Sequence, residues 1–164
     1  MRDPAQNVGI MVLNQWTLLL FFALLSQAAG PPSALNQGLT PAERDALQRE
    51  RKIDNRIKIY DEASERLSKS LESLVVKDGF QSVPDVLESW RNVLELAAKD
   101  IEENASRKNK SKALIRFEIR LRKEIANAQD FRIRAPVDQQ DVFDAWLSRA
   151  EEIRKEFVDI LFPG

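Results

Sequence analysis

From residue 40 onward, apolar side chains recur at steps of three and four, the spacing that gathers them on one face of a helix. Between Gly38 and Gly164 the only glycine is Gly79 and the only prolines are Pro41, Pro84, Pro136 and Pro163. Breakers this sparse, placed at the ends of periodic runs, predict long helices joined by short links. The first helix opens on Thr40-Pro41-Ala42-Glu43, a capping box with proline at the first helical position. The pattern carries it to about Lys77, with Gly79 as its stop, along a seam of Ile53, Ile57, Tyr60, Leu67, Leu71 and Leu74 with Ser64 in the gap. At about 1.5 Å per residue it spans roughly 55 Å, so its first two turns are expected to project beyond the other helices. Tyr60 and Ser64, the polar-tipped members of that seam, either hydrogen-bond across the core or mark its weakest layer. Asp45/Arg49, Asp54/Lys58, Glu62/Arg66 and Glu65/Lys69 are spaced for helical ion pairs.

A second helix follows Ser82, with its seam at Val83, Leu87, Trp90, Leu94, Ala97 and Ile101. A polar turn, Ser106 to Ser111, leads to a third segment in which Ile115 to Arg122 alternates strictly and could read as a strand. A lone strand would leave its edges unpaired, so the helical reading is preferred. Its seam is then Leu114, Phe117, Leu121, Ile125 and Ala128, widened by Ile115 and Ile119. The last helix starts near Asp138 and carries Phe143, Trp146, Ala150, Ile153, Phe157 and Leu161. The expected domain, residues 40–164, is an all-α antiparallel four-helix bundle with an overlong first helix.

Residues before this domain follow a different pattern. Trp16 to Leu25, WTLLLFFALL, precedes small residues, and Ser26 and Ala28 suit the −3 and −1 positions of a signal-peptidase cut before Ala29. Residues 1–28 are therefore expected to be a signal peptide and 29–39 a linker. The alternative is an inner-membrane anchor over residues 9–25, at the short end of the roughly 17 to 25 residue range for a spanning helix. Export without a single cysteine fits a bacterial periplasm or exterior.

Composition narrows the chemistry. The 164 residues hold 25 Lys and Arg against 26 Asp and Glu, a balance that argues against nucleic acid as a partner. Having neither His nor Cys, the chain lacks the commonest general base, the thiolate nucleophile and the usual transition-metal ligands. No phosphate-binding or nucleophile-elbow motif occurs. No catalytic residue, cofactor or metal site is expected. Local charge is uneven: net −4 over Val83 to Ala105, +7 over Ser106 to Arg134 and −4 over Asp138 to Asp159. One reading sets the third helix against the second and fourth. The other makes Arg107, Lys108, Lys110, Lys112, Arg116, Arg120 and Lys123 a stripe for an anionic lipid, an acidic polysaccharide or an acidic protein.

Leu39-Thr40-Pro41-Ala42-Glu43-Arg44 resembles the Leu-Thr-x-x-Gln/Glu opening of Spy/CpxP-type periplasmic helical chaperones. That resemblance implies a helical chaperone or stress sensor with a basic concave face, which would fall on the third helix. Arg51 to Tyr60 on a long helix behind a signal peptide resembles uncharacterised exported helical proteins of environmental bacteria, which implies no activity. The expected role is a non-enzymatic exported interaction or scaffold module, with self-association through the first helix as one route to a partner. The alternative is a chaperone-like or anionic-surface binder.

Overall fold

The computed structural model describes residues 38–105 and 111–163, and every regular element among them is helical. The signal peptide, the anchor reading and most of the linker fall outside the described residues, as do Arg107, Lys108 and Lys110. Five helices follow one another: α1 (Pro41–Arg49), α2 (Ile53–Val76), α3 (Val83–Asn104), α4 (Lys112–Arg134) and α5 (Val137–Leu161), with one 3-10 turn at Phe80–Ser82. None of them is long and apolar enough to cross a membrane.

The stretch expected to form one overlong helix is two helices. Its capping box forms as the sequence requires: Glu43 N–H donates to Thr40 Oγ1 at 3.2 Å and Thr40 N–H to the Glu43 carboxylate at 2.6 Å. At Glu50 and Lys52, however, the backbone is extended, and α1 folds back on α2 instead of projecting. Long-range contacts enforce the reversal. Arg66 donates to both Glu43 carboxylate oxygens and to the Gly38 carbonyl, while Arg56 donates to the carbonyls of Leu47 and Glu50 and to Asp100. Leu39 and Leu47 are buried beneath the strap so formed. Gly38 has φ +104° and lies so close to the Ser89 carbonyl that a Cβ would come within 2.2 Å of it, so only glycine fits there.

The remaining four helices form the bundle. Around it the packed neighbours are α2 with α3, α3 with α5, α5 with α4 and α4 with α2, which sets α3 and α4 across a diagonal. The expectation that the basic helix lies between the two acidic ones is thus half right: α4 meets α5, but its other neighbour is α2. Neither are all neighbours antiparallel. Arg56–Asp100 and Trp90–Ser64 align α2 against an antiparallel α3, and Arg132–Asp144 and Arg154–Glu118 do the same for α4 and α5. Ser111–Asp54, Arg120–Asp61 and Ser64–Glu124 instead run α2 and α4 parallel, and Arg149–Glu95 with the Trp90–Trp146 stack does so for α3 and α5. Two antiparallel hairpins are packed with like-directed helices side by side because the α3-to-α4 link joins diagonal positions.

The predicted seams of α3 and α5 are buried in full, as is the α4 seam from Leu114 to Ala128. Ile119 departs from it and stands 50% exposed, on the side of α4 away from its neighbours. Of the four predicted helical ion pairs only Glu65–Lys69 forms, at 2.7 Å. Arg66 turns to α1, Asp54 accepts from Ser111, Lys58 reaches Asn55, and Arg49 donates to the Asp45 carbonyl. Exposed pairs of this kind contribute only about 0.2 to 0.5 kcal/mol, so competing partners, within the same helix or from another, displace them.

The stop after α2 is set one residue early. Asp78, at φ 54°, takes the left-handed position, whereas Gly79 has negative φ and donates to the Leu74 carbonyl. Left-handed backbone costs a non-glycine residue roughly 1 to 2 kcal/mol. Asp78→Gly is therefore expected to raise stability by up to about 1 kcal/mol, read as a higher urea midpoint; a lower midpoint would place the helix stop elsewhere.

Candidate functional site: the α2–α4 seam

Where α2 and α4 run parallel, a polar layer crosses the apolar core. Ser64 lies on α2 three to four residues from Tyr60 and Leu67, so the seam's own periodicity turns its hydroxyl inward. That hydroxyl accepts a hydrogen bond from Trp90 Nε1–H of α3 at 2.7 Å and donates one to Glu124 Oε2 of α4 at 2.9 Å. Ser64 is fully buried and Glu124 is 5% exposed. Trp90 in turn stacks on Trp146 of α5, with ring centroids 4.2 Å apart. One hydroxyl therefore ties three helices together, and the fourth is reached through the indole pair. Of the two readings of Ser64 and Tyr60, the cross-bundle one holds for Ser64; Tyr60 is buried, and burial together with the nearby Asp100 carboxylate pushes its hydroxyl up to about 12.

Burial raises the Glu124 carboxyl to about 7, against the lowering effect of Ser64 and the Arg120 charge. An acid deprived of water holds its proton until that pH. Toward solvent the seam widens into a groove of about 470 Å³ lined by Asp54, Lys58, Asp61, Glu62 and Glu65 of α2 and Lys112, Ala113, Arg116 and Arg120 of α4. Arg120 pairs with both Asp61, at 2.9 Å, and Glu65. The Asp61 contact lies off the N–H direction, making an ion pair without a hydrogen bond. Burial pushes the Asp61 carboxyl up despite Arg120, while the Lys69 and Arg120 hydrogen bonds hold Glu65 down.

This arrangement sorts the predicted basic stripe. Arg120 is engaged by two α2 carboxylates, and Lys112 and Arg116 line the groove facing α2 acids; Arg116 and Lys123 are exposed. Four acidic side chains meet four basic ones in the groove, a mixed rather than a cationic surface. Glu124 was not singled out by sequence reasoning, although its position three residues after Leu121 and four before Ala128 places it on the α4 seam, where a charged residue is a signal in itself. Its partner could not be read that way, because the pairing of α2 with α4 is a matter of topology.

Compared with protein-family models, curated proteins and solved structures, the chain finds no match in any of the three.

Two predictions follow from the buried acid. A carboxyl that holds its proton more tightly in the folded state stabilises that state fully below its unfolded value of 4.5, and the contribution is lost as pH rises through about 7. Unfolding free energy is expected to fall by roughly 3 kcal/mol across that window, and Glu124→Gln should flatten the decline in urea titrations at pH 5 and 8. Ser64→Ala leaves both the Trp90 indole and Glu124 without their buried partner. It should cost roughly 2 to 4 kcal/mol at pH 6, and a loss below 0.5 kcal/mol would mean the layer is not a structural tie.

Proposed function

We propose that this chain is a non-enzymatic, exported helical-bundle module that acts by presenting its surface to a partner. The observation that carries the reading is the fate of the buried and half-buried ionisable groups. Glu124 ends on Ser64, Asp61 on Arg120, Arg56 on Asp100, and Glu118 on Arg154. Each joins two helices. Asp61, Glu65, Arg120 and Glu124 gather at the α2–α4 seam, yet each is bonded or ion-paired to a residue of another helix, the arrangement expected of ties between elements.

On this reading residues 1–28 direct the chain out of a bacterial cytoplasm and are removed, leaving a periplasmic or extracellular domain. N-terminal sequencing of the protein recovered from its native host should begin at Ala29. An intact N-terminus in the membrane fraction would favour the anchor over residues 9–25.

The exposure of Arg116 and Lys123 on α4 favours a second reading, in which the module docks on an anionic surface and Arg107, Lys108, Lys110 and Lys112 extend the patch. Arg116→Glu combined with Lys123→Glu leaves the Arg120 pairs in place. The double variant is expected to weaken binding to phosphatidylglycerol vesicles in low salt by about thirtyfold or more, since loss of two surface cations at about 1 kcal/mol each already implies that factor and the new carboxylates add repulsion. Unchanged binding would end the anionic-surface reading.

A further inference from the structure

The turn between α1 and α2 contains no residue that stops a helix. Gln48-Arg49-Glu50-Arg51-Lys52 are all good helix formers, and the sequence pattern runs through them unbroken. What holds the bend is side-chain chemistry. Arg56 Nη1 donates to the carbonyls of Leu47 and Glu50 at 3.2 and 3.4 Å, and the Glu50 carboxylate accepts from Lys52 N–H at 2.8 Å and Asn55 Nδ2 at 3.0 Å. In a continuous helix those carbonyls would instead accept from the amides of Arg51 and Asp54. The bent and straight forms thus exchange one set of hydrogen bonds for another.

We infer that α1 is an exchangeable strap, and that its partner is a second copy of this chain, whose α2–α3 surface takes the strap that its own α1 vacates. The occupant is fixed by the surface itself. The seat already fits α1: Leu39, Arg44 and Leu47 of the strap meet Arg56 and Tyr60 of α2 and Leu96 of α3, and the Arg66 bonds to Glu43 and Gly38 can be remade between chains unchanged. Straightening residues 50–52 joins α1 to α2, carrying the strap about 18 Å past the end of its own bundle. Because α1 runs antiparallel to α2, as the Glu43–Arg66 and Leu47–Arg56 contacts require, two such chains related by a two-fold axis lay each strap along the other's α2. The contacts peculiar to the bend are those of Arg56 with the two carbonyls and of Glu50 with Lys52 and Asn55. The interface contacts are common to both states.

This rests on the reading of the chain as an interaction module, yet its test is separable, since failure to exchange leaves the vesicle experiment untouched. Glu50→Ala with Arg56→Lys removes bonds found only in the bent form and keeps the charge that faces Asp100. In the full-length chain the pair should lower the concentration of half-dimerisation by about a hundredfold or more, as loss of the four hydrogen bonds peculiar to the bend implies, measured by light scattering. Adding Leu47→Asp, which spoils the strap in either seat, should return the protein to monomer with α2–α5 still folded by circular dichroism. The natural sequence has no cysteine, so Gln48→Cys and Leu96→Cys can be placed on separate chains of the Glu50→Ala, Arg56→Lys protein. Mixed and treated with a short bismaleimide, they should yield a covalent heterodimer. A monomer at every concentration, a dimer indifferent to Leu47→Asp, or no cross-link between the mixed chains overturns the proposal.

Discussion

A single serine hydroxyl sets much of this architecture. Ser64 has one proton to give and lone pairs to receive with, and both capacities are used, toward α4 and from α3. Were either neighbour shifted by a turn, an indole N–H or a carboxyl would sit in the core with nothing to bond, at a cost of several times an average surface contact. The apolar seams would tolerate such a slip, since leucine against leucine looks much the same one turn along. The polar layer does not, and so it selects a register the hydrophobic pattern leaves open.

That division explains what could be read from the residues. Helix content, the seams of α3 and α5, the Thr40 cap and the inward turn of Ser64 all follow from spacing within a short window. Three features do not. The reversal at Glu50 depends on Arg56 and Arg66, which act from α2 on carbonyls earlier in the chain. The parallel pairing of α2 with α4 depends on which diagonal the chain takes between hairpins. Glu124 was legible as a charge on a seam, but its significance required knowing that Ser64 faces it. Even the helix stop obeys this rule: Gly79 marks the neighbourhood, while the neighbouring Asp78 adopts the strained angle.

Charge plays a similar double part. The local excess of positive residues around α4 has the look of a docking stripe when the chain is laid out in one dimension. In three dimensions α2 supplies Asp61 and Glu65 to the same face, and α5 supplies Asp144 to Arg132 through two nitrogens. Arginine dominates these seams, as suits a rigid planar group able to bond two acceptors at once. Arg56, Arg66, Arg120, Arg149 and Arg154 each bridge separate elements.

The diagonal link has a kinetic meaning as well. Each hairpin is built from contacts close in sequence, so α2–α3 and α4–α5 can assemble early and separately, whereas their mutual docking must wait for a larger loop to close. Docking is the step that strips water from Glu124. An acid that enters the interior neutral does so cheaply, so protons in the medium act as a reagent in the final association of the two halves.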